Sequence, residues 1–392
     1  MEKFEKRIPY GRQTISEEDI ENVSDVLRSK FLTQGPAVLR FEESIASYCG
    51  SKSAVSANSA TSALHLACLA LGLGPGDILW TSPITFVASS NVALLCGAKI
   101  DFVDIDPKSY NISIDLLEKK LKKAEKIGQL PKIIMPVHLC GQSCEMERIY
   151  TLSKKYGFRI IEDASHAIGA RYKDDPVGNC RYSDICVFSF HPVKIITSGE
   201  GGMATTNSSD LARIMRELRS HGITRENEAM RSRPKDEIWN YQQTDLGYNY
   251  RMTDIQAALG LSQLSSLDDF VKSRHNIVEL YNDKLKSLPI ILPWQHPDSW
   301  SSFHLYPIRV REIDAGISQK NLYKIFHESQ IEVNLHYIPV YLQPYYEEIG
   351  FERGYCPESE NYFREAISLP IFSSMSKEDL ERIVTLLMES LA

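Results

Sequence analysis

In residues 186–207, CVFSFHPVKIITSGEGGMATTN, an apolar run stops at Ser189, a single lysine follows at 194, and three glycines crowd around Glu200. Such a run reads as a strand buried on both faces, and glycines at its end allow a tight reversal. Lys194 therefore lies between a buried strand and a turn. Burial there would lower an amine pKa and favour Schiff-base chemistry. The position taken alone also suits an ordinary surface lysine.

Working outward, short apolar runs alternate with helical periodicity from about residue 53, with glycine, proline or aspartate at each junction. SAVSA leads into TSALHLACLALGL, where Leu64, Ala67, Cys68 and Leu71 share one helical face. DILW, KIDFVDI, KIIMPVHL and FRIIED follow as strands separated by helices. Five or more crossovers predict an α/β fold with a mostly parallel sheet covered on both sides. Residues 225–245 read as a long polar loop and 253–287 as one long helix. The segments beyond suggest a small α+β domain. The expected division is a large domain over 1–250, with an N-terminal arm over 1–30, and a linking helix plus small domain over 251–392.

Composition narrows the function classes. The 44 basic and 51 acidic residues give a formal charge of −7, without a basic block of the kind that binds nucleic acid or a membrane surface. Arg231, Arg233 and Lys235 form one short basic run, a solvated loop or a local anion contact. The eight cysteines sit mainly in apolar stretches, which reads as buried thiols in a reducing cytoplasm. Cys140 and Cys144 form the one close pair, without a second pair at zinc spacing, so no metal is expected. The longest apolar run, SALHLACLALGLG, is too short for a membrane span.

In parallel sheets, ligands gather at the carboxyl ends of the strands. Glu162, Asp163, Ala164, Ser165 and His166 follow FRII; Ser189 and His191 follow CVF, with Lys194 close behind; Asn58 to Ser62 follow SAVSA. The last group is either an ordinary helix cap or a phosphate site built from free N–H groups and hydroxyls. Asp163 either orients a turn or holds a protonated ring nitrogen. Together with Phe86 in TSPITFVAS, these residues match in order the four needs of pyridoxal 5'-phosphate. They are a phosphate site, a stacking ring, an acid for the pyridine nitrogen and an amine for the aldehyde.

The chain also resembles the DegT-type sugar-nucleotide aminotransferases, within the fold-type I pyridoxal phosphate enzymes. The likeness is carried in order by IPYGRQTISEEDI, FLTQGPAVLRFEE, NSATSALHLA, EDASHAIGA, FSFHPVKIITSGEGG, GYNYRMTDIQAALG and HYIPVYLQPYY, across nearly the whole chain. The resemblance implies a seven-stranded sheet, Lys194 as the lysine bonded to the cofactor, and Asp163 as partner of the pyridine nitrogen. It implies Phe86 stacked on the ring, His166 beside it, and Thr61, Ser62 and Ser189 at the phosphate. Asn249 is then supplied to the neighbouring subunit's site across a homodimer. Thr33, Gln34, His336 and Tyr337 resemble segments that line the sugar-nucleotide pocket.

The activity implied is transfer of an amino group from L-glutamate, released as 2-oxoglutarate, through the pyridoxamine 5'-phosphate form, to C4 of a 4-keto sugar nucleotide. SKFLTQG, NSATSAL and FSFHPVK resemble the matching stretches of family members that act on a UDP-linked 4-keto-6-deoxy-N-acetylhexosamine, and the resemblance implies that substrate. Related dTDP- and GDP-sugar enzymes, including perosamine-forming ones and those acting at C3, share most of these stretches. A sister group of dehydratases carries histidine in place of the lysine, so Lys194 favours amino transfer. A cystathionine-type lyase would lack GYNYRMTD and the GEGG turn. A cofactor-binding regulator calls for a basic helix-turn-helix, absent from the first 50 residues.

Overall fold

The computed structural model describes residues 7–226, 230–232 and 236–391. The main sheet contains β1 (Ser53–Ala57), β2 (Ile78–Thr81), β3 (Lys99–Phe102), β4 (Ile133–Met135), β5 (Arg159–Asp163), β6 (Ile185–Ser189) and β7 (Gly202–Thr206). Their order is β1-β7-β6-β5-β4-β2-β3. Strands β2 to β6 pair in parallel, and β7 runs antiparallel to both β6 and β1. The seven-stranded, mostly parallel sheet expected from the sequence is thus present, with β7 alone reversed.

Layering follows from side-chain alternation. In β6, Val187 packs with Leu64, Ile161 and Met215 on one face, whereas Cys186 and Phe188 pack with Phe41, Ile45 and Ala257 on the other. Both faces being covered explains why β4 and β6 are buried at every residue. The covering helices show the matching stripe. In Ile114–Lys126 the buried positions are Ile114, Leu117, Leu121 and Ala124, and Ser113 caps the helix by accepting from the Leu116 amide.

The C-terminal part has its own core around Tyr281, Tyr306, Phe326, Leu369 and Leu387, which Ile8 joins from the other end of the chain. Tyr306–Arg309 pairs antiparallel with Ala366–Leu369 there. The second of these strands has no sequence signal of its own, because it is four residues long and follows the helix Pro357–Glu365 directly.

One expectation needs correction. Residues 253–287 form two helices, Asp254–Ser265 and Leu267–Leu285, which break at Ser266. The first packs on the helices Glu17–Arg28 and Pro36–Cys49, the second on Lys377–Leu391, so two different partners pull one periodic segment in two directions. The loop expected over 225–245 is pinned at its base by a short ladder between Ile223–Thr224 and Gln242–Gln243. Among the described residues, no helix is long and apolar enough to cross a membrane.

Candidate active site

The sheet register assembles the site. Ala57 pairs with Gly202, and Gly202 pairs with Ser189, so the ends of β1 and β6 meet the start of β7 in one row. Asp163 closes β5 beside Val187 of β6. Gly202 is required by proximity: a Cβ there would lie 2.5 Å from the Ser59 carbonyl oxygen and 2.6 Å from the Ala60 nitrogen. That gap lets β7 pass directly beneath the start of the helix Ala60–Ala70. Gly199, at φ +79°, makes the reversal before β7 in the region that disfavours side chains.

These elements enclose a cavity of about 890 Å³ lined by, among others, Thr61, Ser62, Phe86, Asp163, His166, Ser189, Lys194, His336 and Tyr337. Nine of the residues chosen from sequence thus meet at one place. Thr33, Gln34 and Asn249 do not. Thr33 bridges to Thr253 at the surface, and Gln34 follows it at φ +56°. Asn249 is exposed, and its backbone bridges to Ser220 and accepts from the Asn58 side chain at 3.5 Å. Arg231 is exposed, and Arg233 and Lys235 lie outside the described residues. Cys140 and Cys144 are buried free thiols, and the Cys144 thiol donates to the Val137 carbonyl at 3.2 Å.

The first turn after β1 is capped and cross-linked by its own side chains. Ser59 is the cap, accepting from the Ser62 amide at 3.1 Å, while the Ser62 hydroxyl donates to Asn58 Oδ1 at 2.7 Å. The N–H groups of the first turn have no carbonyl four residues back to accept them, and the dipole makes this end positive. Asp163 is likewise doubly engaged. Its Oδ1 accepts from the Ser165 amide (3.1 Å) and hydroxyl (2.6 Å), and Oδ2 accepts from Ser89 at 2.6 Å. The carboxylate is 4% exposed, so these bonds fix its orientation at the cavity wall.

Lys194 stands in a desolvated setting. Burial of its amine lowers the pKa to about 8, with the Asp163 carboxylate offsetting part of that shift. Three buried imidazoles share the wall. Burial, then the charge of Lys194, moves His336 down to about 3, and burial together with neighbouring cationic groups carries His166 and His304 well below their ordinary value. All three are neutral at physiological pH, which spares Lys194 the repulsion of nearby imidazolium.

Sequence reasoning missed Tyr10, Thr85, His304 and Asn334, which also line the cavity. His304 precedes its strand, so a search of the residues after strands passes over it. Its main chain is pinned by the buried Arg274 guanidinium, which donates to the carbonyls of Phe303, His304 and Ile371 at 3.0 to 3.2 Å.

Residues 13–388 match the DegT/DnrJ/EryC1/StrS aminotransferase family, and the chain belongs to it. It is a sugar aminotransferase that depends on pyridoxal 5'-phosphate. Over 374 residues it is 37% identical to the UDP-4-amino-4,6-dideoxy-N-acetyl-beta-L-altrosamine transaminase of Campylobacter jejuni, covering 95% of this chain and 94% of that one. Among solved structures it is similar to Helicobacter pylori PseC, an aminotransferase involved in pseudaminic acid biosynthesis. The TM-score is 0.89 at 32% identity, over 98% of this chain and 99% of that one. The PLP form of Spr1654 from Streptococcus pneumoniae gives a TM-score of 0.86 at 29% identity, over 99% and 100% of the two chains.

The cavity fits that cofactor on its own chemistry. Phe86 is 60% exposed although it lines a pocket, leaving an aromatic face for a flat ring. A helix start with hydroxyls suits a phosphate dianion, and a fixed carboxylate suits a protonated ring nitrogen.

Proposed function

We propose that the protein moves an amino group from L-glutamate to C4 of a UDP-linked 4-keto-6-deoxy-N-acetylhexosamine, the step that serves pseudaminic acid synthesis. The observation that carries the chemistry is the low-pKa Lys194 amine beside a fixed Asp163 in one cavity. The likeness to the altrosamine transaminase over nearly all of both chains supports the substrate.

In this reading Thr61, Ser62 and Ser189 hold the cofactor phosphate, Phe86 covers the ring, Asp163 pairs with the pyridine nitrogen, and Lys194 bonds the aldehyde. His166 lies beside the ring, and Asn249 reaches the phosphate from the partner subunit. The cofactor supplies an aldehyde that captures amines and a protonated ring that accepts negative charge. Lys194 Nζ, once free, takes the proton from the carbon bearing the donor's amino group and later delivers one to C4 of the sugar. Asp163 would hold the ring nitrogen in its protonated form, because a buried carboxylate favours a cation opposite it. His336 and Tyr337, which line the cavity, contact the sugar nucleotide.

A cytoplasmic homodimer with shared sites completes the proposal. Asn249 is exposed and lies outside its own chain's cavity, and Trp239 and Leu246 on the neighbouring loop are 72% and 77% exposed. Apolar side chains presented in this way suit burial against a second copy.

The test is a panel of UDP-, dTDP- and GDP-linked 4-keto sugars supplied with glutamate, with products read by NMR. One 2-oxoglutarate per UDP-4-amino sugar is the expected outcome. Preferential turnover of a dTDP or GDP sugar, or amination at C3, would reject the substrate assignment.

A further inference from the structure

Two helices that hold the site pack on each other, and a pair of thiols lies between their far ends. The helix Ala60–Ala70 carries Thr61 and Ser62 in its first turn and Cys68 in its last. The helix Ala88–Leu95 follows Phe86 and carries Ser89, which donates to Asp163 at 2.6 Å. Cys96 closes it, its amide donating to the Val92 and Ala93 carbonyls at 3.2 Å. The Cys68 and Cys96 side chains interact directly, inside a buried cluster with Leu64, Ala67, Val92 and Ala93.

The eight cysteines are not equivalent. Burial holds Cys49, Cys68, Cys140, Cys144, Cys180, Cys186 and Cys356 above the ordinary thiol pKa. Cys96 is moved down instead, first by a hydrogen bond from Cys68, against the effect of burial, and then by a hydrogen bond and positive charge from the His65 ring. His65 stands three residues before Cys68, on the same face of its helix. Its Nδ1 is 3.3 Å from Tyr250 Oη, while Nε2 is buried without an oxygen or nitrogen partner among the described residues. Among those residues no three His, Cys, Asp or Glu side chains converge as metal ligands, this trio included. Exposure then orders the pair. Cys96 is 9% exposed, between the exposed Leu95 and Gly97, whereas Cys68 is at 0%, so a small oxidant meets Cys96 first and finds Cys68 behind it.

We propose that Cys96 and Cys68 are a peroxide-reactive thiol pair, and that closing them into a disulfide weakens the hold on the cofactor. The second half rests on the reading above that places the cofactor phosphate at Thr61 and Ser62. The Cys96 thiolate attacks one oxygen of hydrogen peroxide, the O–O bond breaks, and the departing hydroxide takes up the thiol's proton and leaves as water. Cys96 is then a sulfenic acid. The Cys68 sulfur attacks it, the S–O bond breaks, and the hydroxyl leaves with the Cys68 proton as a second water. Two thiols lose two electrons and two protons, and one peroxide becomes two waters. A disulfide holds its sulfurs about 2.05 Å apart, well inside non-bonded contact, so closure draws the helix ends together. The close-packed cluster passes that movement along both helices, to the Thr61–Ser62 turn at the cavity and to Ser89 on Asp163.

The experiment treats full-chain holoenzyme with hydrogen peroxide, alkylates the remaining thiols and maps the unreduced peptides by mass spectrometry. A bridge between the Cys68 and Cys96 peptides, removed by dithiothreitol, is expected, as is a dimedone adduct on Cys96 in Cys68→Ala protein. Cofactor is then removed from a non-alkylated sample and titrated back by absorbance. Its Kd is expected to rise at least about 5-fold after oxidation, to return on reduction, and to stay unchanged in Cys96→Ser protein given the same treatment. Absence of the bridge, or a bridge to a different cysteine, overturns the proposal. A Cys68–Cys96 bridge with unchanged Kd overturns its coupling to the cofactor, and an equal rise in Cys96→Ser protein does the same by placing the effect elsewhere. If the reduced, unaltered protein takes up no cofactor, the cofactor reading itself falls, and the mass spectrum still decides the thiol pair.

Discussion

Lys194 attaches an aldehyde only through its neutral amine, so the rate at which the cofactor-free protein captures pyridoxal 5'-phosphate reports the pKa of that amine directly. Burial disfavours the ammonium form and sets the pKa at about 8. At pH 7 about 9% of the amine is then neutral, against about 0.03% for an unperturbed lysine, an advantage of about 300-fold. The sign follows: deprotonation activates, so the rate climbs with pH, about 5-fold from pH 7 to 8 and less than 2-fold from 8 to 9, and then levels. Stopped-flow absorbance of the bound cofactor between pH 6 and 10 measures it. Asp163 opposes the effect of burial. Asp163→Asn should therefore move the midpoint to lower pH. A rate that still rises tenfold per pH unit beyond pH 9 would refute the desolvated amine, and an upward shift in the Asp163→Asn protein would refute its assigned electrostatic partner.

Other consequences are open to measurement. Asp163→Asn should bind cofactor yet lose at least about 100-fold in turnover, since a neutral amide no longer favours a protonated ring nitrogen; near-normal kcat would count against that role. Gly202→Ala places a methyl 2.5 Å from the Ser59 carbonyl oxygen. It should cost about 1–3 kcal/mol in stability and weaken cofactor affinity, and an unaltered melting curve with unaltered affinity would contradict the close approach. Mixing Asn249→Ala with Lys194→Ala subunits should restore about one quarter of wild-type sites from two inactive homodimers, because half of the random dimers carry one intact site. No recovery after verified exchange would argue against a shared site.

The sheet and the ligand end of the sheet were legible because each strand is bounded by punctuation and followed by its chemistry. Asp163 and His166 trail FRII, and Lys194 trails CVF. Parallel topology then carries those separate turns to one edge, where the structure shows them lining one cavity. What was not legible arrives from distant chain positions by packing. Tyr10, His304 and Asn334 reach the wall through bridges such as Ile8 with Ile331 and Asn334 with Ser368, contacts without any local periodicity to announce them. The break at Ser266 was hidden for a related reason. No glycine or proline marks it, and the apolar spacing continues through while the packing partner changes.

The direct test of the whole account is chemical. Borohydride reduction of the cofactor-saturated protein, followed by proteolysis and mass spectrometry, should place the cofactor on the peptide that contains Lys194 and on the side-chain nitrogen of that residue. A label on another lysine, or saturated protein that yields no labelled peptide, would contradict it.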